Sequence, residues 1–106
     1  MKSEFSLFYT TCPDETTAQK ISRQLLEEKL IACSNLFPAV QSQYWWEGRI
    51  ESSKECVLIL KTETLLKGQL EKRFLKLHPY ETPCFIEIRL DSGNSQYLAW
   101  LQNSLK

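Results

Sequence analysis

Two hydrophobic periodicities follow one another along this chain in an order that few folds accommodate. Residues 5–11 place alternate side chains on opposite faces, as a strand does, and residues 15–29 repeat apolar side chains at helical spacing. A long extended segment, a return strand over residues 55–62, a second helix ending at Leu77 and a strand over residues 84–90 follow. This β-α-β-β-α-β order predicts an α+β, ferredoxin-like sandwich.

Local signals mark where these elements begin and end. Asp14 stands where an N-cap of the first helix is expected. Pro38 cannot donate to a sheet ladder, so it predicts an edge or a bulge in the extended segment. Residues 46–49, Trp-Glu-Gly-Arg, predict a hairpin turn, and His78-Pro79 ends the second helix. A short amphipathic helix closes the chain, defined by Tyr97, Leu98, Leu101 and Leu105.

Composition and charge limit the possible function classes. With 106 residues, the chain suits one domain over residues 1–106 with a single core. Thirteen Lys and Arg residues balance thirteen Asp and Glu residues, so a nucleic-acid partner is not expected. No stretch approaches the ~20 apolar residues of a membrane span, and the first residues lack a signal-peptide pattern. We therefore expect a cytoplasmic protein without membrane association.

The cysteines favour free thiols over disulfides. Each lies in or beside an apolar segment, and none belongs to a Cys-x-x-Cys pair. A metallochaperone of this fold would use two thiols after the first strand to hold a soft ion. Residues 10–15 contain a single thiol, which disfavours that class. The four residues are Cys12, Cys33, Cys56 and Cys84.

An aromatic cluster lies near the hairpin tip, at Tyr44, Trp45 and Trp46. A four-stranded sheet covered by helices on one face must still cover its other face, and these rings exceed the apolar surface that a monomer usually exposes. Oligomerisation is therefore expected. An RNA-recognition module would need a basic surround for such rings, which is missing. The two tryptophans fit core or interface positions and, alternatively, a ligand platform.

Three polar residues are candidates for a site. His78 is the single histidine, so a catalytic set of nucleophile, histidine and carboxylate could use no other. This argues against a small hydrolase. His78 either caps the second helix or contacts a metal ion or an anion. Glu55 and Lys61 share one face of an otherwise apolar strand, so they face either solvent or a cavity with a partner.

Six segments carry a resemblance to a known family. They are Cys12-Pro13-Asp14, Ala32-Cys33-Ser34-Asn35 with Pro38, residues 42–48, Lys61-Thr62, His78-Pro79-Tyr80 with Pro83, and Tyr97-Leu98 with Trp100. In order and spacing, over nearly the whole chain, the sequence resembles the CutA family of divalent-cation tolerance proteins. The hairpin motif combined with the later His-Pro-Tyr turn is its most specific part.

The resemblance implies a compact homotrimer similar to PII-type signalling proteins, with tolerance of copper and other divalent ions as the function and no enzymatic reaction. It also implies copper ligands at a strand-one thiol and at histidines of the His-Pro-Tyr turn. Here His78 matches that turn, Leu77 stands where a second histidine can occur, and the thiol position falls at Thr10, with Cys12 two residues later.

Two hypotheses follow for the function. The first is a non-enzymatic trimer that binds copper, another divalent cation or a small ligand at clefts between subunits. Its metal candidates are His78 and Cys12, and its pocket candidates are Tyr44, Trp45, Glu55, Lys61 and Tyr80. The alternative is a structural or regulatory trimer that presents a surface to a protein partner and has no metal site.

Overall fold

The structure, a computed structural model, describes residues 4–106. It confirms the predicted order of elements, with a 3₁₀ turn at Thr64–Leu66 before the second helix. The elements are β1 (Phe5–Cys12), α1 (Glu15–Glu27), β2 (Cys33–Trp46), β3 (Arg49–Glu63), α2 (Lys67–Leu77), β4 (Phe85–Leu90) and α3 (Ser95–Ser104).

The four strands form one antiparallel sheet in the order β2-β3-β1-β4. β3 is central, as its apolar sequence predicts. It begins six residues earlier than the predicted start at Glu55, because the β2–β3 hairpin continues past the body of the domain. Residues 49–54 of that extension are exposed or only half-buried, so they show no hydrophobic alternation by which the sequence could reveal a strand.

One face of the sheet packs against α1 and α2 to form the core. Phe8 lies at its centre, and its ring stacks on that of Phe85 with 4.9 Å between centroids. The α2 residue Phe74 contacts the same Phe85 ring at 5.2 Å. The helices complete this layer with buried aliphatic side chains of Ala18, Ile21, Leu25 and Leu70.

Both ends of α1 are capped. Asp14 is the N-cap, and its carboxylate accepts a 2.7 Å hydrogen bond from the Thr17 amide. The helix ends at Glu27, two residues before the predicted end, because Lys29 has a left-handed backbone with φ of 60°. The Leu30 amide then donates to the Leu25 carbonyl, which is the pattern of a Schellman cap.

Strand β2 contains the irregularity that Pro38 predicts. Phe37 pairs with Val57 and Val40 pairs with Glu55, so two residues of β2, Pro38 and Ala39, stand opposite one residue of β3. The strands then reconnect through a two-residue turn at Glu47 and Gly48, both with positive φ, as a type I′ hairpin requires.

The second face of the sheet is only partly covered. Helix α3 packs on β3 at one end, where Lys61 Nζ lies 3.4 Å from the Tyr97 hydroxyl and Leu101 is fully buried. Along the rest of this open face, Phe37, Ile86 and Ile88 are about half exposed. In residues 4–106, no helix has the combined length and hydropathy that crossing a membrane requires.

Candidate functional site

The His78 ring anchors the turn after α2 to the end of β1. Its Nε2 donates to the Thr11 carbonyl at 2.8 Å, and its Nδ1 accepts the Tyr80 amide hydrogen at 3.1 Å. Because a carbonyl can only accept and an amide N–H can only donate, these two contacts define a neutral imidazole protonated at Nε2. The ring is buried and packs against Phe74 and Tyr80.

Tyr80 in turn holds the carboxylate of Glu55. The phenolic hydroxyl donates to Glu55 Oε2 at 3.1 Å. Burial above all, with the negative charge of Glu55 and their hydrogen bond, raises the pKa of Tyr80 to about 12. Thr11, His78, Tyr80 and Glu55 therefore form a continuous hydrogen-bonded series from β1 to β3.

Glu55 is buried, and the described part of the chain gives it no cationic partner. Its side chain lies on β3 beside the bulge, and the residue is only 8% exposed. None of the four ion pairs among residues 4–106 includes it. A buried carboxylate is costly unless a cation or several hydrogen bonds compensate it. The arrangement can therefore accept a cation or a strong hydrogen-bond donor from outside the chain.

Tyr44 lies on the same face as Glu55, because the register pairs Val40 with Glu55 and Tyr44 with Glu51. Its hydroxyl is 3.2 Å from Ser53 Oγ. Trp45 pairs with Ile50 on the opposite face of the hairpin and is 73% exposed. Trp46 returns to the Tyr44 face, so Trp46 rather than Trp45 is its aromatic companion within one chain.

Lys61 is separated from Glu55 within one chain. Both side chains project from the open face of β3, but Lys61 lies six positions after Glu55, which spans roughly 20 Å along a strand. Lys61 Nζ contacts Tyr97, at 3.4 Å from the hydroxyl and 5.6 Å from the ring centroid. The structure therefore brings together Glu55, Tyr80 and the face of Tyr44, and places Lys61 with α3.

The two metal candidates of the sequence are buried in one subunit. Cys12 is fully buried on the helix-covered face of the sheet, and both ring nitrogens of His78 are hydrogen-bonded. Among the described residues, no group of three or more His, Cys, Asp and Glu side chains is placed to hold a metal ion. Within the described part of the chain, one subunit therefore does not place His78 and Cys12 in a centre of three or more such ligands.

The positions that depart from the family pattern have structural roles. The Thr10 hydroxyl donates to the Leu58 carbonyl at 2.6 Å, and Leu77 packs against the core. An open hollow of about 880 Å³ runs along the outer side of α1 and reaches Leu77. That hollow contains none of the candidate site residues. The candidate site is therefore the region around the buried Glu55 carboxylate.

Comparisons with known proteins agree with this architecture. Residues 6–104 match the family model described as CutA1 divalent ion tolerance protein. The chain is 46% identical to the divalent-cation tolerance protein CutA of Pyrococcus horikoshii over 100 residues, covering 94% of this chain and 97% of that one.

Solved structures show the same likeness. The crystal structure of CutA from Xylella fastidiosa superposes with a TM-score of 0.95 at 36% identity, covering 98% of this chain and 100% of that one. The structure of CutA1 from Ehrlichia chaffeensis superposes with a TM-score of 0.93 at 38% identity, covering 100% and 99%.

Proposed function

The chain belongs to the CutA1 divalent ion tolerance family, and on that premise we propose that it acts in divalent-cation tolerance as a non-enzymatic homotrimer. In this proposal, clefts between subunits bind copper, another divalent cation or a small ligand. The single observation that carries the proposal is the buried Glu55 carboxylate, whose one hydrogen-bond donor within residues 4–106 is the neutral Tyr80 hydroxyl.

The uncovered sheet face supports assembly. Ile86 and Ile88 on the edge strand β4 are 55% and 48% exposed, and Phe37 on the opposite edge strand β2 is 51% exposed. The hairpin adds the large apolar side chains of Trp45, Trp46 and Ile50, each more than half exposed. Apolar surface of this extent is typical of a face that another subunit covers. A neighbouring subunit that covers this face would also close the open side of Glu55.

The cleft needs donors from more than one subunit. Glu55 and Tyr80 supply one carboxylate and one phenol, while Lys61 lies roughly 20 Å away along β3. We propose that trimer formation brings Lys61 and Trp45 of one subunit towards Glu55 and Tyr44 of another. His78 then acts as a positioning residue, because it holds the Tyr80 backbone.

Calorimetric titration with Cu²⁺ and Co²⁺ tests the cation part of this proposal. Replacing Glu55 by Gln keeps its shape and removes its charge, so we expect affinity to fall about 10- to 100-fold, as for loss of one charge-assisted contact. The matched control is Glu51→Gln, an exposed carboxylate on the same strand and face. Equal uptake by the wild type and Glu55→Gln would contradict the role of Glu55.

A second candidate function remains, namely a structural or regulatory trimer without a metal site. It is favoured because both ring nitrogens of His78 are already hydrogen-bonded within the chain, to the Thr11 carbonyl and the Tyr80 amide, and neither is free to bind a metal ion. His78→Ala separates the two functions: reduced cation uptake with intact trimers supports the cleft. Absence of uptake by wild type, Glu55→Gln and His78→Ala alike supports the interaction trimer.

The cytoplasm is the compartment we propose for this function. All four cysteines are free thiols in the structure, two of them buried and two half-buried, which is the usual state in a reducing compartment. The balanced charge of the chain supports a small ligand or another protein, rather than nucleic acid, as the partner.

A further inference from the structure

Cys12 and Cys56 are direct cross-strand partners. Cys12 is the last residue of β1, and the antiparallel register places it opposite Cys56 on β3. Both side chains lie on the helix-covered face and are almost fully buried, at 0% and 2% exposed. Opposed side chains in such a ladder have Cβ atoms about 4.5–5.5 Å apart. The two sulfur atoms are therefore within reach of a single bound ion.

The bulge in β2 lies directly beside this pair. Because Phe37 pairs with Val57 and Val40 with Glu55, Cys56 is the residue that faces the two bulged residues. Its thiol donates to the Pro38 carbonyl at 3.1 Å. β2 is an edge strand, and Pro38 has no amide hydrogen to contribute to the ladder. Local opening here would expose Cys56 without unfolding the core.

We propose that Cys12 and Cys56 form a binding site for a soft monovalent cation, for which Cu(I) is the probe. Thiol sulfur selects soft ions. Structural zinc sites use four ligands, and the described residues offer no third His, Cys, Asp or Glu at a suitable position. Two sulfur atoms alone therefore suit an ion that accepts two ligands.

Binding exchanges protons for the metal. One Cu(I) forms one bond to each sulfur, both S–H bonds break, and two protons leave to solvent, so the bound unit carries a net charge of −1. Burial is the main cause that raises the pKa of Cys12 to about 12, and the charges of Cys56, Glu55 and Asp14 add to it. Burial likewise raises the pKa of Cys56. Both thiols are thus protonated at neutral pH, and Cu(I) must displace both protons.

This site lies on the other face of the sheet from the Glu55 side chain. Cys12 and Cys56 face α1 and α2, whereas Glu55 belongs to the open face. The thiol site and the subunit cleft can therefore be tested by substituting different residues of the same protein.

The experiment is a competition for Cu(I) between reduced full-length protein and the chromogenic chelator bathocuproine disulfonate, without oxygen. We expect wild type to take one Cu(I) per chain and Cys12→Ala and Cys56→Ala to lose that uptake. Cys33→Ala and Cys84→Ala are matched controls, since each of these thiols lies near a backbone carbonyl rather than opposite another cysteine.

Two further readouts separate metal ligation from a structural effect. Displacement of two protons predicts that the apparent binding constant falls about 100-fold for each pH unit of acidification. X-ray absorption should show two sulfur ligands on copper. Normal uptake by folded Cys12→Ala or Cys56→Ala, no uptake by wild type, or a copper shell of nitrogen and oxygen would each overturn the proposal.

Discussion

Thr10 on β1 and Thr62 on β3 are both fully buried on the helix-covered face of the sheet, yet only the Thr10 hydroxyl has a hydrogen-bond partner within residues 4–106. Thr10 donates to the Leu58 carbonyl at 2.6 Å, directly across the strand pair. Among the described residues, Thr62 Oγ1 has no hydrogen-bond partner. A buried hydroxyl without a partner lowers stability, because it loses water and gains nothing in exchange.

We expect threonine-to-valine substitutions at these two positions to have opposite signs. Thr62→Val removes an unsatisfied hydroxyl and should raise the free energy of unfolding by about 1–3 kcal/mol. Thr10→Val removes the hydroxyl that donates to the Leu58 carbonyl. It should therefore lower the free energy of unfolding by about 1 kcal/mol. Urea denaturation of wild type and both variants at one protein concentration measures the difference. A loss of stability in Thr62→Val would show that this hydroxyl has a partner in solution.

The α2 helix offers a second matched pair. Phe74 is fully buried and its ring contacts those of Phe85 and His78, each at 5.2 Å between centroids. Phe74→Ala should therefore cost about 3–5 kcal/mol of unfolding free energy. Leu75 follows it on the exposed side of the helix, and Leu75→Ala should cost less than about 0.5 kcal/mol in the isolated subunit. Equal losses of unfolding free energy in Phe74→Ala and Leu75→Ala would mean that another subunit covers Leu75.

The hydrogen bond between Tyr80 and Glu55 predicts a distinct high-pH titration. The pKa of Tyr80 is raised to about 12, above the ordinary 10.0 for tyrosine. The unfolded chain therefore loses this proton first, so the contribution to stability is complete below pH 10 and disappears as the pH rises from about 10 to 12. Ultraviolet absorbance of tyrosinate should show one late-titrating group in wild type.

The control for that titration is a change at a second tyrosine. Tyr80→Phe should remove the late step, whereas Tyr97→Phe should leave it in place, since Tyr97 contacts Lys61 at the other end of β3. A late step that persists in Tyr80→Phe would assign it to another tyrosine and remove the support for a buried Tyr80–Glu55 pair.

The sequence could predict those parts of the fold that depend on local patterns. The periodicities located β1, the three helices, β4 and the part of β3 that begins at Glu55, Asp14 marked the N-cap, and the glycine of residues 46–49 marked the hairpin. Each signal lies within a few residues of the structure it predicts. Helix α1 ended two residues early because Lys29, a residue with no particular preference for left-handed backbone, adopts it here.

The candidate site was harder to predict because it depends on strand register. The bulge at Pro38 adds one residue to β2, which reverses the face of every later side chain. Tyr44 and Trp45, both pocket candidates of the sequence, are neighbours in β2 and therefore point to opposite faces of the hairpin, and the register places Trp46 on the face of Tyr44 and Glu55. The Cys12–Cys56 pair was likewise invisible, since its partners are 44 positions apart and meet only through the β1–β3 register.

The hairpin tryptophans provide the test of assembly. In one subunit, Trp45 and Trp46 are 73% and 56% exposed, so truncating them removes little packing from the subunit itself. If the trimer buries both rings, each change to alanine should weaken assembly by about 3–5 kcal/mol. Light scattering coupled to size exclusion should give about three times the 12.4 kDa chain mass for wild type and a smaller mass for the double variant on dilution.

The outcome separates folding from association, because circular dichroism should show unchanged secondary structure in the dissociated double variant. Lys20→Ala, an exposed position on the outer side of α1, is the control and should leave the trimer intact. A monomeric wild type at micromolar concentration would contradict the trimer. A double variant with unchanged mass and melting temperature would place both rings outside the subunit interface. The contact between subunits would then have to come from the exposed sheet residues Phe37, Ile86 and Ile88.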